Sequence, residues 1–317
     1  MKHTKMLQTG IIMFILLVMS ACGATSNEST GTMDHNQEVK NESNEVEKQQ
    51  NPEKRIIGTS VTYPEFLYAL GVIPVAAENY HEEFPAYLHP AFQDVMKLGS
   101  VDGASFEAML EAEPDLILAP TWRDEKSYDQ LSKIAPTVLL PDHDDWRDEL
   151  REMGQALGKF EKAEQVIQEY ERKTDEAKQK LHAIVGDETV LYMRVMSKAV
   201  YVLGEQSSRG SIIHRELGLK PVSAYPADEG SVSISLEMLP EYNPDHIIIQ
   251  VDDGENGTQA RKMYEDMIQS NIWKNLNAVQ KNKIYLVGDK EWFNFGFSPV
   301  ANSYAIDEIV RVFENHK

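Results

Sequence analysis

The sequence predicts an α/β protein of two lobes joined by one long helix. Three observations carry that reading. From Arg55 onward, short apolar runs alternate with amphipathic helical stretches, the pattern of a parallel sheet flanked by helices. Two blocks then recur in the same order. Residues 105–117, SFEAMLEAEPDLI, match 235–247, SLEMLPEYNPDHI, at Ser, Glu, Glu, Pro, Asp and Ile with a constant offset of 130. Residues 69–75, ALGVIPV, match 216–222, ELGLKPV, at Leu, Gly, Pro and Val. Between the copies lies 160–184, which has no Gly and no Pro. Its apolar stripe runs through Ala163, Val166, Ile167, Tyr170, Ala177, Leu181 and Ile184. At 1.5 Å per residue such a helix spans roughly 37 Å, about the width of a small domain.

The 317 residues are enough for two domains of ordinary size, and 42 % hydrophobic content supports a sizeable core. A net charge of −20 argues against nucleic-acid phosphate as a partner and against surface adhesion to anionic lipid. One cysteine, Cys22, rules out an intrachain disulfide.

Taken in order, residues 1–21 read as a signal peptide. Lys2 and Lys5 precede the apolar run 11–19, and Ser20 and Ala21 are small residues before Cys22. The run is too short to span a membrane comfortably. Small residues beside a lone cysteine resemble a bacterial lipobox, in which the cysteine becomes the lipidated N-terminus. Met19 stands where that pattern usually has Leu. Ordinary cleavage leaving a free thiol is the alternative. Residues 22–54 hold the cysteine and a polar tether with almost no large apolar residue, which cannot bury enough to order itself.

The first lobe, 55–159, is predicted to hold strands at 56–60, 74–76, 116–119 and 137–140. Helices are expected at 63–71, 106–113, 127–134 and 144–157, with Ser105 as a cap and Gly71 as a stop. The linking helix occupies 160–184. The second lobe, 185–317, repeats the style. Its strands are expected at 189–195, 200–203, 247–251 and 284–287. Its helices are expected at 211–217, from 235, at 260–271 and at 303–315.

Neither nucleotide-binding glycine signature is present, nor a GxSxG elbow. The only cysteine is used at the N-terminus. Nine histidines are scattered without an HExxH; His81 and His89 are the nearest pair in the globular part. Nothing in the sequence requires an enzyme.

The lipobox, the tether and the duplicated Glu…Pro-Asp blocks, with LSKIAPTV at 131–138 and WKNLNAV at 273–279, resemble the iron-siderophore substrate-binding lipoproteins of bacterial ABC importers. The ferric hydroxamate type is the nearest. The resemblance runs from about residue 55 to the C-terminus. It implies two Rossmann-like lobes joined by one rigid helix, the class III architecture, with ligand held between them. It also implies an ABC permease and its ATPase as partners. One surface glutamate per lobe would dock on permease arginines, and Glu107 and Glu237, which coincide in the repeat, are the matching positions. Each is equally a first-turn helix glutamate favoured by the helix dipole. The protein would sit on the extracellular face of a cell membrane, of Gram-positive type, held by lipid on Cys22. A monomer is the default.

Ligand positions follow from strand ends and from the resemblance. Trp122 and Arg123 come just after the strand 116–119, where α/β ligands collect. Arg194 sits in an otherwise apolar strand, which is costly without a partner; the resemblance gives it a ligand role, and an ion pair is the structural reading. Trp292 and Phe295 belong to the aromatic loop WFNFGF, either as cleft wall or as core. Tyr63 follows the first strand. Arg209 and Tyr201 complete the set, with Tyr80 and 84–87 weaker, and His214 is read as helix surface or core. Arginine and aromatic walls suit the oxygen-rich, partly apolar surface of a ferric chelate. The chelator holds the iron, so no direct protein metal ligand and no cofactor is expected. The aromatic 290–305 loop, free of arginine, suits a hydroxamate or citrate-hydroxamate, with catecholates behind. Haem, cobalamin or a bare metal in the same fold is one alternative. A siderophore-processing hydrolase using Ser207, Ser208 and His214 is another, and an adhesion or scaffold lipoprotein a third.

Overall fold

Five short strands build the first sheet: β1 Ile56–Gly58, β2 Ala76–Ala77, β3 Met96–Lys97, β4 Leu116–Pro120 and β5 Thr137–Leu140. Their order is β3-β2-β1-β4-β5 and every pairing is parallel. Helices cover the faces, so Ile57, Ala76, Ile117, Leu118 and Ala119 are fully buried, as a parallel sheet requires. This computed structural model describes residues 54–81, 83–99, 105–253, 257–288 and 290–316, which form one compact unit. The expected signal peptide, Cys22 and nearly all of the tether lie outside the described residues.

The second sheet holds β6 Val190–Met196, β7 Val200–Leu203, β8 Ser231–Ile234, β9 His246–Asp252 and β10 Ile284–Val287, in the order β10-β9-β6-β7-β8. Here the expected parallel sheet is corrected to a mixed one. β6, β9 and β10 run parallel, whereas β7 and β8 pair antiparallel. The reason is local. Only residues 197–199 separate β6 from β7, enough for a hairpin and far too few for a parallel crossover of about a dozen residues. β8, reading SVSI with alternating exposure, and the two-residue β3 carry no apolar run and are additions to the expected strands.

The repeated blocks have a structural cause. Glu113 and Asn243 occupy the same place in the two copies, and both have positive φ, 43° and 30°. Each stops a short helix before a proline. The aspartate that follows then clamps the neighbouring strand. Asp115 accepts from the Arg55 N–H at 2.9 Å, just before β1, and Asp245 accepts from the Thr189 N–H at 3.0 Å, just before β6. The other block places a left-handed glycine in each lobe, Gly71 (φ 70°) and Gly218 (φ 67°). After it, Val75 bonds to Ile56 beside β1, and Pro221 bridges Val190 at the start of β6.

The linking helix runs Phe160–Val185, one residue beyond expectation, and stops at Gly186, whose φ is 58°. Its buried stripe is Ala163, Ile167, Tyr170, Thr174, Ala177, Leu181 and Val185. Thr174 fills the gap in the apolar pattern by returning its hydroxyl to the Tyr170 carbonyl at 2.9 Å. Val166 and Ile184 are only half-buried. The helix packs against Trp146–Ala156 and against the last helix, Pro299–Glu314. At the first crossing a Cβ on Gly154 would stand 2.9 Å from that of Ala163, so glycine sets how closely the helices approach.

This helix is not the lobes' sole connection. The last helix also packs on Tyr63–Ala69 of the first lobe. Glu65, 1 % exposed, lies at that seam. It accepts from Asn294 Nδ2 at 2.8 Å, from Tyr87 Oη at 2.9 Å, from the Ala301 N–H at 3.2 Å and from the Ser298 hydroxyl. Asn294 also donates to the Val61 carbonyl at 2.9 Å, and Glu291 accepts from the Ala86 N–H at 2.6 Å. Tyr80 stacks on Phe293 with centroids 3.6 Å apart. One continuous apolar core, with Phe66, Tyr170, Tyr192 and Phe313 among its members, runs through both lobes.

Candidate functional site

Two adjoining cavities open between the lobes. The first, of about 350 Å³, is walled by Ser60–Thr62 segment residues 60–62, by Trp122, by 142–144 with Trp146 and Glu149, and from the second lobe by Ser208, Gly296 and Phe297. The other, of about 440 Å³, extends from Asp144–Arg147 positions 144–147 to residues 205–208, Arg215 and Glu216. Asp144, Trp146, Ser208 and Gly296 line both. The first-lobe wall is assembled from segments that directly follow β1, β4 and β5, so it stands at the carboxyl edge of the sheet.

Trp122 is 64 % exposed and Phe297 50 % exposed, one on each lobe, and both line the smaller cavity. Large aromatics left in water on facing walls are the kind of surface a partly apolar ligand covers. The second wall depends on a tight turn. Gly296 has φ 94°, and a Cβ there would stand 2.9 Å from Arg209 Cγ.

Several expected ligand residues have other partners. Arg123 is bidentate to buried Glu78, at 2.9 and 2.6 Å, and also contacts Asp124. Arg194 pairs with Asp252 across β6 and β9, and Tyr201 lies opposite it on β7. Arg209, 5 % exposed, donates to the carbonyls of Phe295 at 2.7 Å, Phe293 at 2.6 Å and Trp292 at 3.3 Å, leaving Nη1 without an acceptor. Burial lowers its pKa. It therefore holds the aromatic loop in shape. Trp292 and Phe295 are placed in the core instead of on the cleft wall. Both are fully buried, and Trp292 donates its indole N–H to Glu308 at 2.7 Å. None of Arg123, Arg194, Arg209, Tyr201, Trp292 or Phe295 lines either cavity.

Tyr63 is 1 % exposed, below the cleft floor. Its hydroxyl lies beside Glu149 without a well-formed hydrogen bond, and burial raises its pKa. The Glu149 carboxyl is pushed up to about 7, first by burial and then by the charge of Asp142, while Tyr63 pulls the other way. His214 is buried against the Leu219 carbonyl at 2.8 Å, and burial lowers its pKa to about 4. Sequence reasoning missed Phe297 as the exposed member of its loop, and it missed Asp142, Asp144 and Glu149. Among the described residues no group of three carboxylate or imidazole side chains converges as a metal site.

Glu107 and Glu237 are both exposed, each nine residues before its strand, β4 or β9. Ser105 caps the helix of Glu107, accepting from the Ala108 N–H at 3.2 Å, and Glu237 lies in the turn Leu236–Met238.

A family model described as periplasmic binding protein matches residues 56–291, most of the chain and both walls of the cleft except its last turn. The chain belongs to the periplasmic binding protein family. Within it, the chain is 32 % identical over 290 residues to the iron(3+)-hydroxamate-binding protein FhuD of Bacillus subtilis (strain 168), covering 87 % of this chain and 89 % of that one. It is 29 % identical over 283 residues to the iron-uptake system-binding protein of the same organism, covering 88 % and 89 %. Among solved structures it resembles Staphylococcus aureus SirA complexed with staphyloferrin B. The TM-score is 0.69 and identity 26 %, covering 82 % of this chain and 93 % of that one. It also resembles Bacillus subtilis FeuA complexed with ferri-bacillibactin, with TM-score 0.65 and identity 27 %, covering 84 % and 94 %. The α/β architecture with two sheets and one long linking helix is the one these relatives share.

Proposed function

We propose that this protein is an extracellular receptor, anchored by lipid on Cys22, that binds a ferric siderophore between its lobes and delivers it to an ABC permease and its ATPase. The observation that carries the reading is the cleft with Trp122 and Phe297 exposed on opposite lobes. The relatives support it, since those named above bind ferric hydroxamate, staphyloferrin B or ferri-bacillibactin. The chelator supplies every iron ligand, so the protein contributes no ligand to the metal itself. Glu107 and Glu237 are the docking pair, one per lobe at equivalent places. The protein acts as a monomer, and its role is binding and not catalysis.

Tryptophan fluorescence tests this directly, because Trp122 and Trp146 both line the cleft. The intact chain is titrated with ferric siderophores, their iron-free forms, haem and cobalamin. Saturable quenching by ferric siderophores at sub-micromolar concentration is expected. Silence toward all of them, or a response to haem or cobalamin alone, would sink the proposal.

A further inference from the structure

The cleft's charge points to the kind of chelate it takes. Asp142, Asp144 and Glu149 face the smaller cavity, and among the described residues none of the three has a cationic partner. His143 is the sole other titratable group on that wall. The larger cavity adds Asp145, Glu205 and Glu216 against two arginines. Arg147 is engaged, bridging Asp145 at 3.2 Å and Glu216 at 3.1 Å, whereas Arg215 is exposed and lies 3.7 Å from Glu205; with Asp144, the acidic groups of this cavity still outnumber its two arginines. Two of the arginines expected at the ligand are held elsewhere, Arg123 on Glu78 and Arg194 on Asp252.

Two observations independent of charge mark the same surface as a ligand site. Trp122 and Phe297 stand exposed on its two sides. Trp146, 6 % exposed and lining both cavities, has an indole N–H with no acceptor. An aromatic wall rimmed by carboxylates without a cationic partner matches an apolar chelate that carries a basic group. It repels a polycarboxylate. The carboxylates do not converge as a metal site, so a bare divalent ion is a poor match.

We infer that the cleft selects ferric chelates by charge, accepting those of zero or positive net charge with a pendant ammonium or guanidinium set against Asp142 and Asp144, and rejecting polyanionic ones. This rests on the ferric-siderophore reading of the same cleft. Like charge at this range weakens binding through the Coulomb term, which salt screens.

The test is a charge series on one scaffold. A linear ferric trihydroxamate with a terminal amine is compared with its N-acetyl and N-succinyl derivatives by fluorescence titration of the intact chain. Affinity should fall in that order, by about tenfold across the series at low salt. The spread should shrink at about 0.5 M salt and in Asp142→Asn/Asp144→Asn, both exposed positions that leave the core untouched. Equal affinities, or tightest binding of the succinyl form, would overturn the charge inference and leave the ferric-chelate reading standing. Failure of all three chelates to bind would overturn both.

Discussion

Asn294, in the second lobe, donates its side-chain amide to the buried carboxylate of Glu65, in the first, at 2.8 Å. The two are separated by 229 positions in the chain. With Ser298, Ala301 and Tyr87 on the same carboxylate, this is the polar centre of the seam between the lobes. Glu65→Ala removes an acceptor from several buried donors at once. We expect a loss of about 2–4 kcal/mol, measured by urea unfolding. A change below about 0.5 kcal/mol would show that the seam adds little.

Trp122 and Trp292 should separate binding from stability. Trp122→Ala removes an exposed ring, so unfolding midpoints stay within about 0.5 kcal/mol of the parent while ferric-chelate affinity falls by about 1–3 kcal/mol. Trp292→Ala empties a fully buried site and should cost about 3–5 kcal/mol of stability. Circular dichroism melts and titrations of the two variants check this; the reverse outcome would move the site.

Arg123→Gln deprives buried Glu78 of its bidentate partner. A destabilisation of about 2–4 kcal/mol is expected by denaturant titration. If stability is unchanged and ligand affinity drops instead, Arg123 belongs to the ligand.

Glu149 gives stability a pH dependence of defined sign. The unfolded chain ionises it near 4.5, and the folded chain near about 7. Between those values the folded state holds the extra proton, so this group's contribution falls as pH rises through the window and reaches its full cost above it. Glu149→Gln should therefore gain on the order of 1–3 kcal/mol over the parent at about pH 8 and nothing at about pH 4. Urea curves at the two pH values measure it. A gain that does not vary with pH would refute the assignment.

Glu107→Ala with Glu237→Ala should spare ferric-chelate binding and impair iron uptake, read by radiolabelled iron in cells carrying the variant. Normal uptake in the double variant would remove the docking pair.

Much of the architecture was legible because its signals are local or repeated. The Glu…Pro-Asp blocks mark two copies of one helix stop and strand clamp, at Glu113–Asp115 positions 113–115 and again at 243–245. The linking helix is an uninterrupted stripe. The place of Trp122 on the cleft was legible because the carboxyl ends of strands in such sheets open onto the crevice. The partners of the arginines were not, since Glu78 is 45 positions from Arg123 and Asp252 is 58 from Arg194. The loop WFNFGF offers no period by which to tell core Phe295 from exposed Phe297; the Arg209 carbonyl contacts decide it. In a chain with 51 acidic residues, Asp142, Asp144 and Glu149 carry no mark until the fold brings them together.

The seam has a consequence for recognition from outside. Helix and seam together hold Glu107 and Glu237 on one body. A partner gripping both works as a calliper on the folded state of the whole chain. With either lobe unravelled, only one handle is presented, and the effective-concentration gain of a two-point grip is lost.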